Sequence, residues 1–195
     1  QDRVNYFFEA YSPNVIDSID NSILENNVYV TYKDQVIGDL KLDVYHYKWK
    51  YALGPNDYEK DTILPTKIDA SQLAAQVRWS KSLFGFSAEA EAYQSFKEEF
   101  ATTAFKGAIR RELYKDISAS ASYRYRSQPL YFNFHLFQSD FEEYNWSNAN
   151  FINQNTATKG LSLFHPKWGT VAASWSTIDN YGFFNNTTRL ADLNK

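Results

Sequence analysis

Residues 117–126 read ISASASYRYR, and side chains of two different kinds alternate along them without exception. One set consists of isoleucine, alanine and tyrosine, and the other consists of serine and arginine. A period of two indicates a β-strand, because successive side chains of a strand point to opposite faces of its sheet. Alanine and serine form strands poorly in water. The segment therefore favours a strand whose small-residue face meets lipid and whose other face meets polar side chains of a lumen.

The same alternation recurs along the chain. Residues 84–93 set phenylalanine and alanine against serine and glutamate, and residues 72–80 set leucine, valine and tryptophan against glutamine and arginine. The short turn at residues 81–82 predicts that these two segments form an antiparallel hairpin. In a further strand the apolar residues change phase after Val44, which predicts a β-bulge. That strand spans residues 40–51, and the remaining strands are predicted at residues 4–11, 28–32, 101–110, 161–163 and 169–176.

Short and long connections alternate between these strands. The alternation of short and long connections is typical of outer-membrane barrels. It holds if residues 131–137 continue the strand that begins at Ile117, with Pro129 at a bulge or above the membrane. We therefore predict an all-β fold, an antiparallel transmembrane β-barrel region over residues 1–195 with roughly eight or nine strands. Short turns are predicted near residues 34, 82, 115 and 166, and extended loops near 12–26, 54–70 and 139–155.

Composition excludes several classes of protein. The 195 residues carry a net charge of −3, so no basic excess points to a nucleic acid partner. The absence of cysteine excludes disulfides and thiolate metal sites. The chain contains no run of about 18 apolar residues, so its sequence predicts no membrane helix. The low mean hydropathy is compatible with a membrane barrel, because its strands alternate apolar and polar residues.

A soluble β-sandwich with aromatic core positions is the alternative fold. Tryptophan, tyrosine and phenylalanine make up 18% of the chain. A sandwich core would favour valine, isoleucine and leucine on its inner faces, whereas these strands set alanine, phenylalanine and tyrosine against serine, glutamate and arginine. Tryptophan and tyrosine near strand ends also suit a lipid–water interface. The composition of the two faces therefore favours the barrel.

Strand parity places a set of charged side chains opposite the apolar face. Facing acidic and basic side chains create a field across a pore, and charged rings set its ion selectivity. Alternatively, the charges pair across strands and only fill the lumen. The candidate pore-lining residues are Asp39, Lys41, Asp43, Arg78, Glu89, Glu91, Lys106, Arg110, Arg124 and Arg126.

No residue pattern predicts catalysis, a cofactor or a metal. His46, His135 and His165 lie on three separate segments, without the carboxylate spacing of a zinc site. The chain has no G-x-S-x-G motif and no glycine-rich phosphate loop. We therefore predict that the protein is not an enzyme and binds no cofactor.

Three stretches carry a resemblance to a known family: residues 112–126 (ELYKDISASASYRYR), 141–146 (FEEYNW) and 165–184 (HPKWGTVAASWSTIDNYGFF). Over roughly residues 27–185 the chain resembles the putative porin family of the Bacteroidota. The resemblance implies an outer-membrane barrel through which solutes diffuse, and it brings no catalytic residues.

Two features of the chain's ends bear on its completeness. Members of the family are several times longer, and residues 190–195 (LADLNK) lack the terminal aromatic strand of a completed barrel. The chain also has no methionine, even at position 1, which indicates a processed or partial product. We therefore expect an internal fragment of a longer chain.

Three functions are compatible with these observations. The first is a porin-like barrel in the bacterial outer membrane that passes small solutes through a charged lumen. The second is a structural or interaction subunit of a larger outer-membrane assembly, with its lumen plugged. The third is a barrel enzyme, for which no Ser/His/Asp set converges. The expected partners are outer-membrane lipid and small solutes, with other outer-membrane proteins or further copies of the chain as alternatives, and no nucleic acid.

Overall fold

The computed structural model describes residues 17–54, 65–97, 100–114, 116–141, 144–148, 152–184 and 191–194. The strand predicted at residues 4–11 lies outside the described residues. The long strands are β1 (Ile19–Asp34), β2 (Gly38–Leu53), β3 (Lys67–Leu83), β4 (Phe86–Ser95), β5 (Thr103–Tyr114) and β6 (Ile117–Gln128). They are followed by the short helix α1 (Phe132–His135) and by β7 (Leu136–Phe137), β8 (Trp146–Ser147), β9 (Gln154–His165), β10 (Gly169–Asp179), β11 (Tyr181–Phe184) and β12 (Ala191–Asn194).

Eight strands form one sheet in the order β1-β2-β3-β4-β5-β6-β9-β10. Every pair of neighbours is antiparallel. The pairs β7–β8 and β11–β12 form separate two-stranded sheets. The predicted all-β, antiparallel fold is therefore confirmed, and over the described residues the sheet is open, with β1 and β10 at its edges.

Short and long connections lie at opposite ends of the sheet. Short turns join β1 to β2, β3 to β4, β5 to β6 and β9 to β10 at what we call the turn end. The connections at the opposite end, the loop end, are longer and cover residues 54–66, 96–102 and 129–153.

The ends of the predicted loops require correction. The loop predicted at 12–26 is strand from Ile19 onwards, because this part of β1 pairs with the loop-end half of β2. The loops predicted at 54–70 and 139–155 likewise give way to strand at Lys67 and Gln154. Backbone pairing with a neighbouring strand sets these boundaries, although the local sequence is polar.

The two faces of the sheet are inverted relative to a soluble protein. On one face, here called the apolar face, large apolar side chains are exposed even on interior strands, such as Val44 of β2 at 48% and Leu73 of β3 at 55%. The described residues therefore place no second sheet on this face, as a β-sandwich would require. The buried side chains of the eight-stranded sheet lie on the opposite, polar face and are those of Asp43, Tyr51, Ala70, Gln72, Ala74, Ser95 and Ser118.

The apolar band runs obliquely across the sheet. Val28 of β1, Val44 of β2 and Ala75 of β3 are direct partners in one row of paired residues. The same row ends at Asn155 of β9 and Asp179 of β10. The apolar residues of the last two strands lie nearer the turn end. This displacement is expected where strands are tilted across an apolar layer.

Strand β2 is continuous, and the β-bulge predicted after Val44 is wrong. Its residues have partners on β1 and β3 without a shift of register. The aromatic residues that follow Val44 therefore keep the parity of Asp43 and lie on the polar face. Their neighbours His46 and Lys48 take the parity of the apolar face, at the loop end. The described sheet does carry an irregularity in β5, between Glu112 and Tyr114.

The prediction that residues 131–137 continue β6 is also wrong. Strand β6 ends at Gln128, and residues Phe132–His135 form helix α1. Pro129 has no backbone N–H to donate to a ladder, so the strand ends before it. The apolar residues that follow pack against the loop end of the sheet, and this packing outweighs their local preference for strand.

The β1–β2 turn is fixed by polar contacts and by a glycine. Asp34 Oδ1 accepts two backbone N–H groups of the turn, both at 2.7 Å. The indole N–H of Trp79 on β3 donates to the carbonyl oxygen of Ile37 at 2.8 Å. Gly38 follows with φ of 100°, and a Cβ there would lie 2.5 Å from the backbone oxygen of Ser80. Both its backbone conformation and the close strand require glycine.

The substitution Gly38→Ala tests this turn. We expect it to lower the free energy of unfolding by about 3 kcal/mol, because it adds a backbone clash to an unfavourable φ. Gly169→Ala is the matched control, since Gly169 has φ of 87° but open space around a Cβ, and it should cost only about 1 kcal/mol. The measurement is urea unfolding in detergent micelles, followed by the heat-modifiable folded band. Equal losses in the two variants would contradict the steric account.

Candidate functional site

The pairing register places every charged side chain predicted to line the lumen on the polar face. They are Asp39, Lys41 and Asp43 on β2, Arg78 on β3, Glu89 and Glu91 on β4, Lys106 and Arg110 on β5, and Arg124 and Arg126 on β6. Strand parity was enough to find their common face, because the register from β2 to β6 is unbroken at these positions. That this face lines a pore stays a prediction.

Five of these side chains form one row across the sheet, here called the central row. Direct backbone partners connect its members from strand to strand, in the order Lys41, Arg78, Glu91, Lys106 and Arg124. The row contains a single acid among four bases. Its own charge is therefore positive, although the chain as a whole is negative.

A buried carboxylate organises the β2–β3 part of the face. The side chain of Asp43 is 1% exposed and lies 2.9 Å from Lys41 Nζ and 2.9 Å from Arg78 Nη2. Lys41 Nζ also lies 4.0 Å from the centroid of the Tyr29 ring on β1, a cation–π contact. A buried carboxylate is tolerated only when cations and hydrogen bonds replace its lost hydration. Asp43 thus fixes two members of the central row.

The β4–β6 part of the face is more open. Lys106 Nζ lies 3.1 Å from Glu89 Oε1, and both side chains are about half exposed, so this ion pair contributes little to stability. Arg110 donates to the hydroxyl of Ser118 at 2.9 Å. Within the described residues, no carboxylate lies within 4.0 Å of Arg124 or Arg126. Cationic charge is therefore in excess on this side of the face.

Aromatic side chains share the polar face with these charges. The rings of Tyr45 and Tyr47 stack with centroids 5.7 Å apart, and those of Tyr47 and Trp49 stack at the same distance. The hydroxyl of Tyr45 donates to Gln76 Oε1 at 2.8 Å. Sequence reasoning missed these residues, because it read the change of apolar phase as a bulge. Continuing the period of two through Val44 would have found them.

The connection between β6 and β9 packs across the loop end of the polar face, and its described residues 130–141 and 144–148 are here called the inner loop. Leu136 is 1% exposed, and its carbonyl oxygen accepts the hydroxyl of Tyr51 at 3.1 Å. The ring of Phe132 lies 5.5 Å from those of Tyr51 and Phe100. The buried Trp146 donates its indole N–H to a backbone carbonyl within the loop at 2.9 Å.

Polar contacts anchor the same loop to two neighbouring segments. Gln138 donates to the carbonyl oxygen of Pro65 at 2.9 Å. The hydroxyl of Ser139 donates to Asp17 Oδ2 at 2.6 Å, and the backbone N–H of Asp140 donates to Asp17 Oδ1 at 3.0 Å. The inner loop is therefore attached to the segments that precede β1 and β3, in addition to its own strands.

The described residues offer little for other chemistry. They contain no cluster of three or more His, Asp or Glu side chains that could hold a metal ion. No helix among them is long and apolar enough to cross a membrane.

Comparison with known proteins gives one finding. A family model described as "Putative porin" matches residues 1–192. No curated protein and no solved structure shows a significant match to the chain.

The substitution Asp43→Asn tests the buried carboxylate. It removes the charge that Lys41 and Arg78 share, and we expect the free energy of unfolding to fall by about 2 kcal/mol. Asp69→Asn is the control, because Asp69 forms an exposed ion pair with Lys67 at 3.0 Å and should change stability by less than about 0.5 kcal/mol. Urea midpoints of the folded band measure both. A loss in Asp43→Asn no larger than in the control would contradict the organising role.

The inner loop should loosen at acidic pH. Burial lowers the pKa of His135 below its ordinary value of 6.5, although backbone hydrogen bonds at Asn148 and Leu130 act in the opposite direction. The packed loop therefore favours neutral histidine, and packing becomes less favourable as the pH falls below about 6.5. Amide hydrogen exchange in residues 131–148, corrected for its intrinsic rate, should accelerate between pH 7.5 and 5.5. His135→Gln should abolish this pH dependence, and an unchanged dependence in that variant would refute it.

Proposed function

The chain belongs to the putative porin family, and from that membership we propose that it forms an outer-membrane β-barrel through which small solutes diffuse passively along the charged polar face. The observation that carries the proposal is the inversion of the two faces. Polar side chains such as Asp43 are buried, whereas large apolar ones on interior strands, such as Leu73 of β3 at 55%, are exposed. A membrane barrel requires this arrangement, because its outer face meets hydrocarbon and its interior meets water.

The positions of two tryptophans support the membrane assignment. Trp168 in the β9–β10 turn is 84% exposed, and Trp175 on the apolar face is 73% exposed. Large exposed indoles are costly in water, but they are favourable at the lipid–water interface, where the ring stays in an apolar layer and the N–H reaches polar groups. We propose that the apolar face contacts outer-membrane lipid.

Passive diffusion requires a polar path and no chemistry. The central row offers charged side chains, and the neighbouring strands β6, β9 and β10 add hydroxyl groups to the polar face. The hydroxyl oxygens of Ser120 and Ser162 lie 2.7 Å apart, and those of Thr158 and Ser176 lie 2.9 Å apart. Such a surface exchanges hydrogen bonds with water and small polar solutes. We propose a role that is not enzymatic, with small solutes as transient partners.

The inner loop favours one alternative. A loop seated across the loop end, with Leu136 and Trp146 buried, is what a plugged lumen would show. In that case the barrel would act as a structural or interaction subunit of a larger outer-membrane assembly.

Planar bilayer recordings of the full-length protein separate the two functions. We expect discrete, ohmic conductance steps from the wild type. Replacing residues 131–147 with a short glycine–serine link should enlarge the steps, because it removes side chains from the loop end. A barrel that is silent in both forms and co-purifies with other outer-membrane proteins would replace diffusion with the structural role.

A simpler measurement tests the membrane assignment itself. The full-length protein should need detergent to remain in solution and should show heat-modifiable migration on a gel. A protein that stays monodisperse without detergent would contradict the assignment, whatever the bilayer recordings show.

A further inference from the structure

A cavity of about 940 Å³ lies on the polar face below the inner loop. Two of its walls differ in chemistry. One wall is aromatic and includes Tyr47, Trp49 and Tyr93. The other is basic and includes Arg124 and Arg126. A cavity of this size holds a small organic molecule, and a few charged groups among apolar rings are typical of a binding site.

The aromatic wall is built from rings that support one another. Trp49 stacks on Tyr47 with an interplanar angle of 5° and meets Phe100 edge-on, with centroids 6.4 Å apart. Phe100 in turn meets Phe132 of the inner loop edge-on at 5.5 Å. These contacts hold the rings in place without a ligand. The wall therefore offers a preformed apolar surface to the ring of a solute.

The basic wall carries an excess of cationic charge. Arg124 and Arg126 are exposed, and no described carboxylate lies within 4.0 Å of either guanidinium. Glu91 also lines the cavity, but in the central row it stands between Arg78 and Lys106. Two neighbouring arginines present planar donor groups that match a carboxylate.

The spacing between the walls is set by one small residue. In the row that joins them, Tyr93 of β4 pairs with Ala104 of β5, which pairs with Arg126 of β6. Strands in a sheet lie about 4.8 Å apart, so the backbones of Tyr93 and Arg126 are separated by about 10 Å. The methyl group of Ala104 leaves this interval unfilled. A six-membered ring with one carboxylate has the dimensions to span it.

We propose that this cavity binds small carboxylates that carry a six-membered ring. Arg124 and Arg126 hold the carboxylate, and the ring lies against the wall formed by Tyr47, Trp49 and Tyr93. The inference rests on the proposed function, since it names the class of solute that the diffusion path selects.

Calorimetric titration of the full-length protein in detergent tests the site without requiring an open pore. Glucuronate is the probe, glucose supplies the ring without the charge, and acetate supplies the charge without the ring. Glucuronate should bind at least about tenfold more tightly than either. The double variant Arg124→Gln, Arg126→Gln should weaken glucuronate binding at least about tenfold, and Trp49→Ala should weaken it about fivefold.

A matched control lies on the neighbouring strand. Arg111 of β5 belongs to the apolar face, where its guanidinium carbon lies 4.4 Å from the centroid of the Phe86 ring. Arg111→Gln should leave glucuronate binding unchanged. The heat-modifiable band confirms that each variant is folded before it is titrated.

The outcomes separate this site from the proposed function. Acetate binding as tight as glucuronate, or equal glucuronate binding in the double variant and the wild type, overturns the site. Conductance steps without glucuronate binding reject the site and keep the porin function. Glucuronate binding to a barrel that is silent in bilayers keeps the site and rejects diffusion.

Discussion

The unbroken antiparallel register from β2 to β4 is the constraint on which the rest of the structure depends. A strand pair has a side-chain period of two, so a slip of one residue would exchange the two faces. Asp43, Gln76 and Tyr93 are direct partners in one row, and their common face follows from that register alone. The register thus decides at once which residues meet an apolar layer and which come together as a charged surface.

Asp43 shows how the register brings charged side chains of neighbouring strands together. Burial of a carboxylate is unfavourable unless cations and hydrogen bonds replace its lost hydration. Here the pairing brings Arg78 of the adjacent strand to 2.9 Å, and Lys41 reaches it from two positions along the same strand. On the β6 side the register provides Arg124 and Arg126, and no described carboxylate lies within 4.0 Å of either. The polar face thus pairs its cations with a buried carboxylate at β2–β3 and has an excess of cationic charge at β6.

Much of the fold could be predicted from the sequence, because alternation is a local property. The alanine and serine run of β6 shows its period without any neighbour, and so do the strands around Val77 and Ala90. The continuity of β2 could not be predicted in this way. Beyond Val44, its apolar-face positions are filled by His46 and Lys48, because this part of the strand extends past the apolar band, and the apolar residues therefore shift to the other parity.

The inner loop was missed for a different reason. Residues 131–137 have the composition of a strand, but the contacts that determine their conformation are distant in sequence. The carbonyl oxygen of Leu136 accepts a hydrogen bond from the hydroxyl of Tyr51, and the ring of Phe132 packs on that of Phe100. No local pattern records such contacts. The candidate charged residues were found by parity alone, whereas the aromatic wall beside them depended on the unbroken course of β2.

The unequal lengths of the strands affect the shape of the rim that their ends would form in a closed barrel. Strands β1 and β2 have 16 residues each, whereas β9 has 12 and β10 has 11. At about 3.4 Å per residue, the first pair is about 54 Å long and the last is about 40 Å or less. In a closed barrel this difference cuts the rim obliquely, with a tall side at β1–β3 and a low side at β9–β10. On the proposed diffusion path, a solute would cross the low rim and meet the tall wall, with its stacked rings, before it descends.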